Sequence, residues 1–262
     1  MRVVVAGLGL VGGSLARVLR RGGRDGRFEV VGVDRSTVLR RARAKGALSR
    51  GLISLEAALR GASVLVLAAP PRASLRLLRR AARSAPPGLV VTDVTSVKRP
   101  IVAEARRLGL RRFVGGHPIA GTEGRGFAAA TPDLFRGRAW VLTPEGAPRD
   151  AVRAVRALVR AAGARPVTMG AGDHDHVLAR LSHLPQLVAW ALFAAATGDG
   201  ATRKHLRLAG PGFRDMTRLS RSPRGLWREI IGDNRDEVAR ALRTFSRSLH
   251  AQARALGARA RA

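Results

Sequence analysis

Through the first two thirds of the chain, short β-branched runs alternate with amphipathic stretches, and after residue 169 the runs stop. The strand-like runs are residues 2–6, 29–33, 63–68, 89–93, 113–115, 139–142 and 166–169. Between them, apolar residues recur at helical spacing in 11–21, 37–45, 73–84, 97–108 and 149–162. Val64-Leu65-Val66-Leu67 is apolar at every position, as suits a strand covered on both faces. Such alternation predicts a parallel sheet with crossover helices. From Asp173 onward only helical spacing remains, in 174–196, 203–208, 213–219, 226–231 and 234–256. Gly170-Ala171-Gly172 punctuates the change. The pattern predicts an α/β chain, with a doubly wound, mostly parallel sheet in residues 1–169 and a smaller all-helical domain in 170–262.

Composition removes several classes of protein. Without cysteine there are no disulfides and no thiolate metal sites. The longest apolar run, residues 3–13, is too short to cross a bilayer, and its glycines have a better explanation than a signal peptide. The expectation is a cytoplasmic protein without a membrane partner. A formal net charge of +30 would ordinarily point to nucleic acid. Only three of the 48 basic residues are lysines (Lys45, Lys98, Lys204), and the arginines are scattered among Ala, Gly and Leu in every segment. Seven Phe and three Trp leave little on which to stack bases. The charge therefore reads as solvated helix faces, with weak polyanion sticking and no specific nucleic-acid partner.

Gly7-Leu8-Gly9-Leu10-Val11-Gly12 follows the first strand and opens the first helix. In a Rossmann-type domain the first glycine allows the tight turn, the second lets backbone approach a pyrophosphate, and the third lets helix pack on sheet. The helix start then offers unpaired N–H groups and a positive dipole end to phosphate. Asp34 ends the second strand 22 residues beyond Gly12, where a carboxylate can accept bonds from ribose hydroxyls. It would repel a 2′-phosphate, so NAD is the expected cofactor. NADP is the second candidate, because Arg35, Ser36, Thr37 and Arg40 follow at once.

Four later segments carry polar residues that a bare nucleotide-binding domain does not need. They are residues 92–98 (TDVTSVK), 115–123 (GGHPIAGTE), 182–186 (SHLPQ) and 210–218 (GPGFRDMTR). In this order, with the glycine loop and Trp227, they closely resemble the prephenate dehydrogenase family, which includes arogenate and cyclohexadienyl dehydrogenases. The resemblance runs from about Arg2 to Arg240. It implies an NAD-type cofactor that takes hydride from the ring carbon bearing a hydroxyl, while the ring loses its carboxylate and becomes aromatic. His117 resembles the catalytic histidine that draws the proton from that hydroxyl. Ser96 looks like the serine that orients the histidine and touches the hydroxyl, and Arg218 is similar to the arginine that binds substrate carboxylate. Thr122, Glu123, Ser182, His183 and Trp227 match other positions around the substrate. The family usually has a second histidine where this chain has Gln186, so that position bears on substrate choice. The resemblance also implies a homodimer formed through the helical part.

Residue chemistry agrees with part of this independently. Oxidising an alcohol needs a proton acceptor nearby, and imidazole serves that near neutral pH. His117 is expected just past a strand's carboxyl end, where ligands of doubly wound sheets bind. Taken alone, Ser96 reads as a cap for the helix beginning at Val97. Ser182 and Gln186, four apart, fall on one helical face, and Pro185 frees a carbonyl one turn earlier. Asp173-His174-Asp175-His176 has an alternate spacing that splits the ligands between faces at a helix start; capping and solvation account for these residues, and no metal is expected. Two rivals remain open. A hydroxy-acid dehydrogenase of the Rossmann-plus-helices type would need a lysine on its second domain, and Lys204 sits in no matching motif. A non-catalytic NAD-sensing or nucleic-acid-binding protein would leave His117 and Ser96 redundant.

Overall fold

Strand β1 (Arg2–Ala6) buries Val3 and Val5 in one layer of side chains and Val4 and Ala6 in the other. Successive side chains of a strand point to opposite faces, so an unbroken apolar run requires cover on both. The structure, a computed structural model, describes residues 1–21, 28–122 and 124–259. β2 (Glu29–Val33), β3 (Arg50–Leu52), β4 (Val64–Leu67), β5 (Val90–Asp93), β6 (Phe113–Pro118), β7 (Ala139–Thr143) and β8 (Arg165–Thr168) complete one sheet, ordered β3-β2-β1-β4-β5-β6-β7-β8. All neighbours are parallel except β6 and β7, which run antiparallel.

One face is covered by α1 (Leu10–Arg21) through Leu15, Ala16 and Leu19, by α2 (Ser36–Ala44), and by α6 (Arg149–Ala161) through Val155, Leu158 and Val159. The other is covered by α3 (Leu55–Leu59), α4 (Pro71–Ser84) and α5 (Arg99–Arg107), which insert Leu55, Leu59, Leu78, Ile101 and Val102. Each such side chain withdrawn from water contributes roughly 1.5–3 kcal/mol before entropy is counted. Strand order reverses between β1 and β4, and this switch point leaves a crevice at the strands' carboxyl ends.

The chain divides into two compact units, Met1–His174 and Asp175–Ala262. The division falls inside α7 (Ala171–Leu178), just past the glycines expected to mark it. Beyond it come a π-helical turn (Ala179–His183), α8 (Leu184–Gly198), α9 (Gly200–Lys204), α10 (Pro211–Thr217), α11 (Arg224–Asp233) and α12 (Arg235–Arg259). The π-turn sits immediately before Pro185, where the missing N–H relaxes the ladder. Ala171–Gly198 is long and apolar enough to cross a membrane by length and composition alone. It nevertheless carries wholly buried His183 and Gln186, both hydrogen-bonded to other segments of the helical unit.

Candidate active site

The glycine loop lies at the switch point, and its three glycines differ in what surrounds them. Gly7 has φ +99°, and a Cβ there would fall 2.5 Å from the Ala68 carbonyl oxygen at the end of β4. A Cβ on Gly12 would fall 1.9 Å from the Gly7 carbonyl oxygen, so that position brings helix against loop. A Cβ on Gly9 would meet no atom within 4 Å. The protein itself does not require glycine there; an approaching ligand would. The side chain of Leu8 is buried, and its N–H donates to Asp34 Oδ2 at 2.7 Å. Arg35 N–H donates to Asp34 Oδ1, also at 2.7 Å. Asp34 thus ties loop to β2, while each carboxylate oxygen keeps a lone pair for a hydroxyl. Leu10 and Val11 pack half-buried on the core at the start of α1. Open space over Gly9, a helix start and a carboxylate at the end of β2 fit a dinucleotide.

Two strands away, a buried ion pair fixes the backbone before His117. Asp93 ends β5, and both it and Lys98 are fully buried. Lys98 Nζ donates to Asp93 Oδ2, to Thr95 Oγ1 at 3.0 Å and to the Gly116 carbonyl oxygen at 2.6 Å. Gly116 N–H donates to Asp93 Oδ1 at 3.0 Å, so one ion pair holds both polar groups of the same residue. Such a pair is costly to break, about 3–5 kcal/mol when one partner is removed. The glycines here are steric necessities: a Cβ on Gly116 would lie 2.5 Å from the Asp93 carbonyl oxygen, and one on Gly115 would lie 2.2 Å from Thr143 Oγ1.

His117 lies within β6, paired with Val141 of antiparallel β7, and not past the strand end as expected. The antiparallel partner extends the strand by the residues that carry the histidine. Its Nδ1 lies 2.8 Å from Nε2 of His174, a residue in the first turn of α7 that is fully buried. Capping and solvation therefore do not account for His174, nor for Asp175, which is equally buried. His176, by contrast, is exposed and faces Glu237 and Arg180. Ser96 stands half-buried on the bend after β5. It is not a cap, because α5 begins at Arg99 with Lys98 at its N-cap position. Thr122 is exposed in the loop after β6, accepting from Gly124 N–H at 3.2 Å. Glu123 lies outside the described residues.

The remaining expected residues belong to the helical unit. Asn234 Nδ2 donates to the Asp175 carbonyl oxygen at 2.7 Å and sits 3.2 Å from Nδ1 of His183, whose ring meets Trp227 edge-on at 6.1 Å. Gln186 is wholly buried; its Nε2 donates to the Leu219 carbonyl oxygen at 2.7 Å, and its Oε1 has no partner among the described residues. Trp190 Nε1 donates to the next carbonyl, that of Ser220, at 3.2 Å. These two bonds fasten the segment after Arg218 to α8, and Arg218 itself is exposed at its start. Ser182 is half-buried in the π-turn, whose wider winding changes the face it shares with Gln186.

A glycine loop at a switch point and a carboxylate at the end of β2 are the marks of a Rossmann-type nucleotide-binding domain. The family of prephenate dehydrogenase nucleotide-binding domains matches residues 15–168, and that of prephenate dehydrogenase dimerization domains matches residues 170–261. The chain belongs to the prephenate dehydrogenase family. It is 33% identical over 246 residues to the prephenate dehydrogenase of Bacillus subtilis, spanning 90% of this chain and 65% of that protein. Among solved structures it resembles prephenate dehydrogenase from A. aeolicus in complex with hydroxyphenyl propionate and NAD+ (TM-score 0.91, 29% identity, 99% of this chain and 92% of that one). It also resembles Synechocystis arogenate dehydrogenase (TM-score 0.85, 29% identity, 99% and 93%).

Proposed function

We propose that this chain catalyses the NAD-dependent oxidative decarboxylation of arogenate to tyrosine and of prephenate to 4-hydroxyphenylpyruvate, and that it uses arogenate at least as well. The observation that carries the reading is His117, an imidazole in β6 whose preceding residue is held at both N–H and C=O by the buried Asp93–Lys98 pair. NAD, when bound, supplies the hydride acceptor. His117 takes the proton from the ring hydroxyl as that carbon is oxidised, and the proton returns to the phenolic oxygen once carbon dioxide has left. Ser96 orients His117 and touches the hydroxyl. Arg218, exposed and anchored beside α8, binds a carboxylate common to both substrates; Thr122, Glu123, Ser182, His183 and Trp227 are the other residues that the family resemblance assigns to the substrate. Residues 1–169 hold the cofactor and 170–262 serve substrate and dimer contacts. Leu181, Phe193, Leu208 and Leu256 leave apolar surface exposed on that helical unit, as a homodimer interface needs. The protein works in the cytoplasm.

Gln186 supports the substrate order. With one hydrogen of Nε2 given to Leu219, Gln186 keeps Oε1 as an unmet acceptor and the second N–H of Nε2 as a donor. The acceptor suits the ammonium of arogenate, while the remaining N–H can still donate to the keto oxygen of prephenate, so both substrates are used. The test is turnover of the purified chain with NAD and each substrate, followed at the nicotinamide absorbance, for wild type and Gln186→His. The expected result is activity with both substrates, and a shift of the kcat/KM ratio toward prephenate by roughly tenfold in the variant. No turnover of either substrate would overturn the function; an unchanged ratio would remove Gln186 from substrate choice.

A further inference from the structure

We propose that His174 is a positioning residue that holds His117 in the one tautomer able to act as a base. The inference rests on the proposed role of His117 as proton acceptor and adds the group that makes the role achievable. The two rings meet at 2.8 Å between Nδ1 of His117 and Nε2 of His174, with planes inclined by 70° and centroids 5.1 Å apart. At that separation one hydrogen lies between the two nitrogens, since two lone pairs or two N–H groups would repel. A neutral imidazole has one donor and one acceptor nitrogen, so the position of this hydrogen decides the state of the opposite edge of His117. If His174 donates, His117 carries its own proton on Nε2 and can accept nothing there. If His117 donates from Nδ1, its Nε2 is the acceptor nitrogen and can take the hydroxyl proton. Base catalysis therefore requires His174 to present the lone pair of Nε2, with its own proton on Nδ1.

The surroundings make this pairing rigid. The residue before His117 is held at both N–H and C=O by Asp93 and Lys98, so the strand cannot slide to relieve a poor contact. On the other side, His174 is anchored in the first turn of α7 by its N–H bond to the Gly170 carbonyl oxygen at 2.9 Å. A fully buried imidazole placed only to fill space would be replaceable by an apolar ring of similar size, which gives the proposal a sharp test.

The experiment uses the full chain labelled with ¹⁵N-histidine, with the His117 signals assigned by their loss in His117→Asn. The wild type is expected to show His117 protonated on Nδ1. In His174→Phe, His117 should move toward the Nε2-protonated form, and kcat should fall about 10- to 100-fold with little change in the Kd for NAD. His174→Gln, whose carbonyl oxygen can accept from Nδ1, should restore the wild-type tautomer and most of kcat; it also serves if the phenylalanine variant does not fold. Finding His117 protonated on Nε2 in the wild type, or unchanged in tautomer across these variants, would overturn the proposal. If His117→Asn itself turned over normally, the base assignment would fail instead, whatever the tautomer of the wild type.

Discussion

Alanine at Gly9 isolates what that glycine does for a ligand from what it does for the fold. Its added Cβ would find no protein atom within 4 Å, and Gly9 has no positive φ. The folded state should therefore accept it without strain. Removing a glycine from the unfolded chain then stabilises the protein by about 0.4–1 kcal/mol, a rise of roughly 1–3 °C in Tm. For a bound dinucleotide the same methyl is in the way. Phosphate oxygens sit about 2.9 Å from backbone N–H groups, and a methyl needs about 3.5–4 Å of its own. Losing one charge-assisted bond costs about 1.5–3 kcal/mol, or a weakening of NAD binding by roughly 10- to 100-fold. Gly12→Ala is the contrasting case, since its Cβ would overlap the Gly7 carbonyl oxygen at 1.9 Å. It should lower stability by about 1–3 kcal/mol as well as binding. Thermal melts and NAD titrations by calorimetry on the three proteins decide the matter. If Gly9→Ala melted at or above wild type and bound NAD equally well, the pyrophosphate would not pass over Gly9.

His117→Asn keeps a polar side chain and removes the base, so turnover should fall by roughly 10²–10⁴ while the Kd for NAD, read by the same titration, hardly changes; near-normal turnover with chemistry rate-limiting would refute the assignment. Asp34→Ser should shift preference from NAD toward NADP by roughly 10- to 100-fold in kcat/KM, because it removes a ribose acceptor and a repelling charge. A wild type already preferring NADP would refute that reading.

Most of the first unit was legible because its constraints are local. Valine-rich runs can only be strands covered on both faces, and the glycine loop must follow the first of them. The elements that escaped are those with no such signal. β3 is three residues, Arg-Gly-Leu, at the sheet edge, and α3 is a five-residue helix whose one clear cue is Ser54, which caps it by accepting from Ala57 N–H at 3.1 Å. Lys98 was visible as one of three lysines in an arginine-rich chain, yet its role depends on meeting Asp93 and Gly116 across the gap between β5 and β6. A buried cation chooses its partners through topology, which spacing does not encode.

The histidines make the same distinction within one motif. His174 and His176 are two residues apart on the opening of α7, so the helix turns them about 200° from each other. One is driven against His117 and sealed from water, while the other is left beside Glu237 and Arg180 at the surface. Sequence could show that the pair splits between faces, and did; which face would meet a catalytic strand depends on how α7 leaves β8. Met169 N–H bonds to the Leu142 carbonyl oxygen of β7, and Ala171 N–H donates to the Glu145 carboxylate just beyond that strand. Glu145 holds a positive φ of 23°, the one such non-glycine among the described residues, which turns its segment toward the helix start. The orientation of His174 is thereby inherited from β7, the strand antiparallel to the one that carries His117.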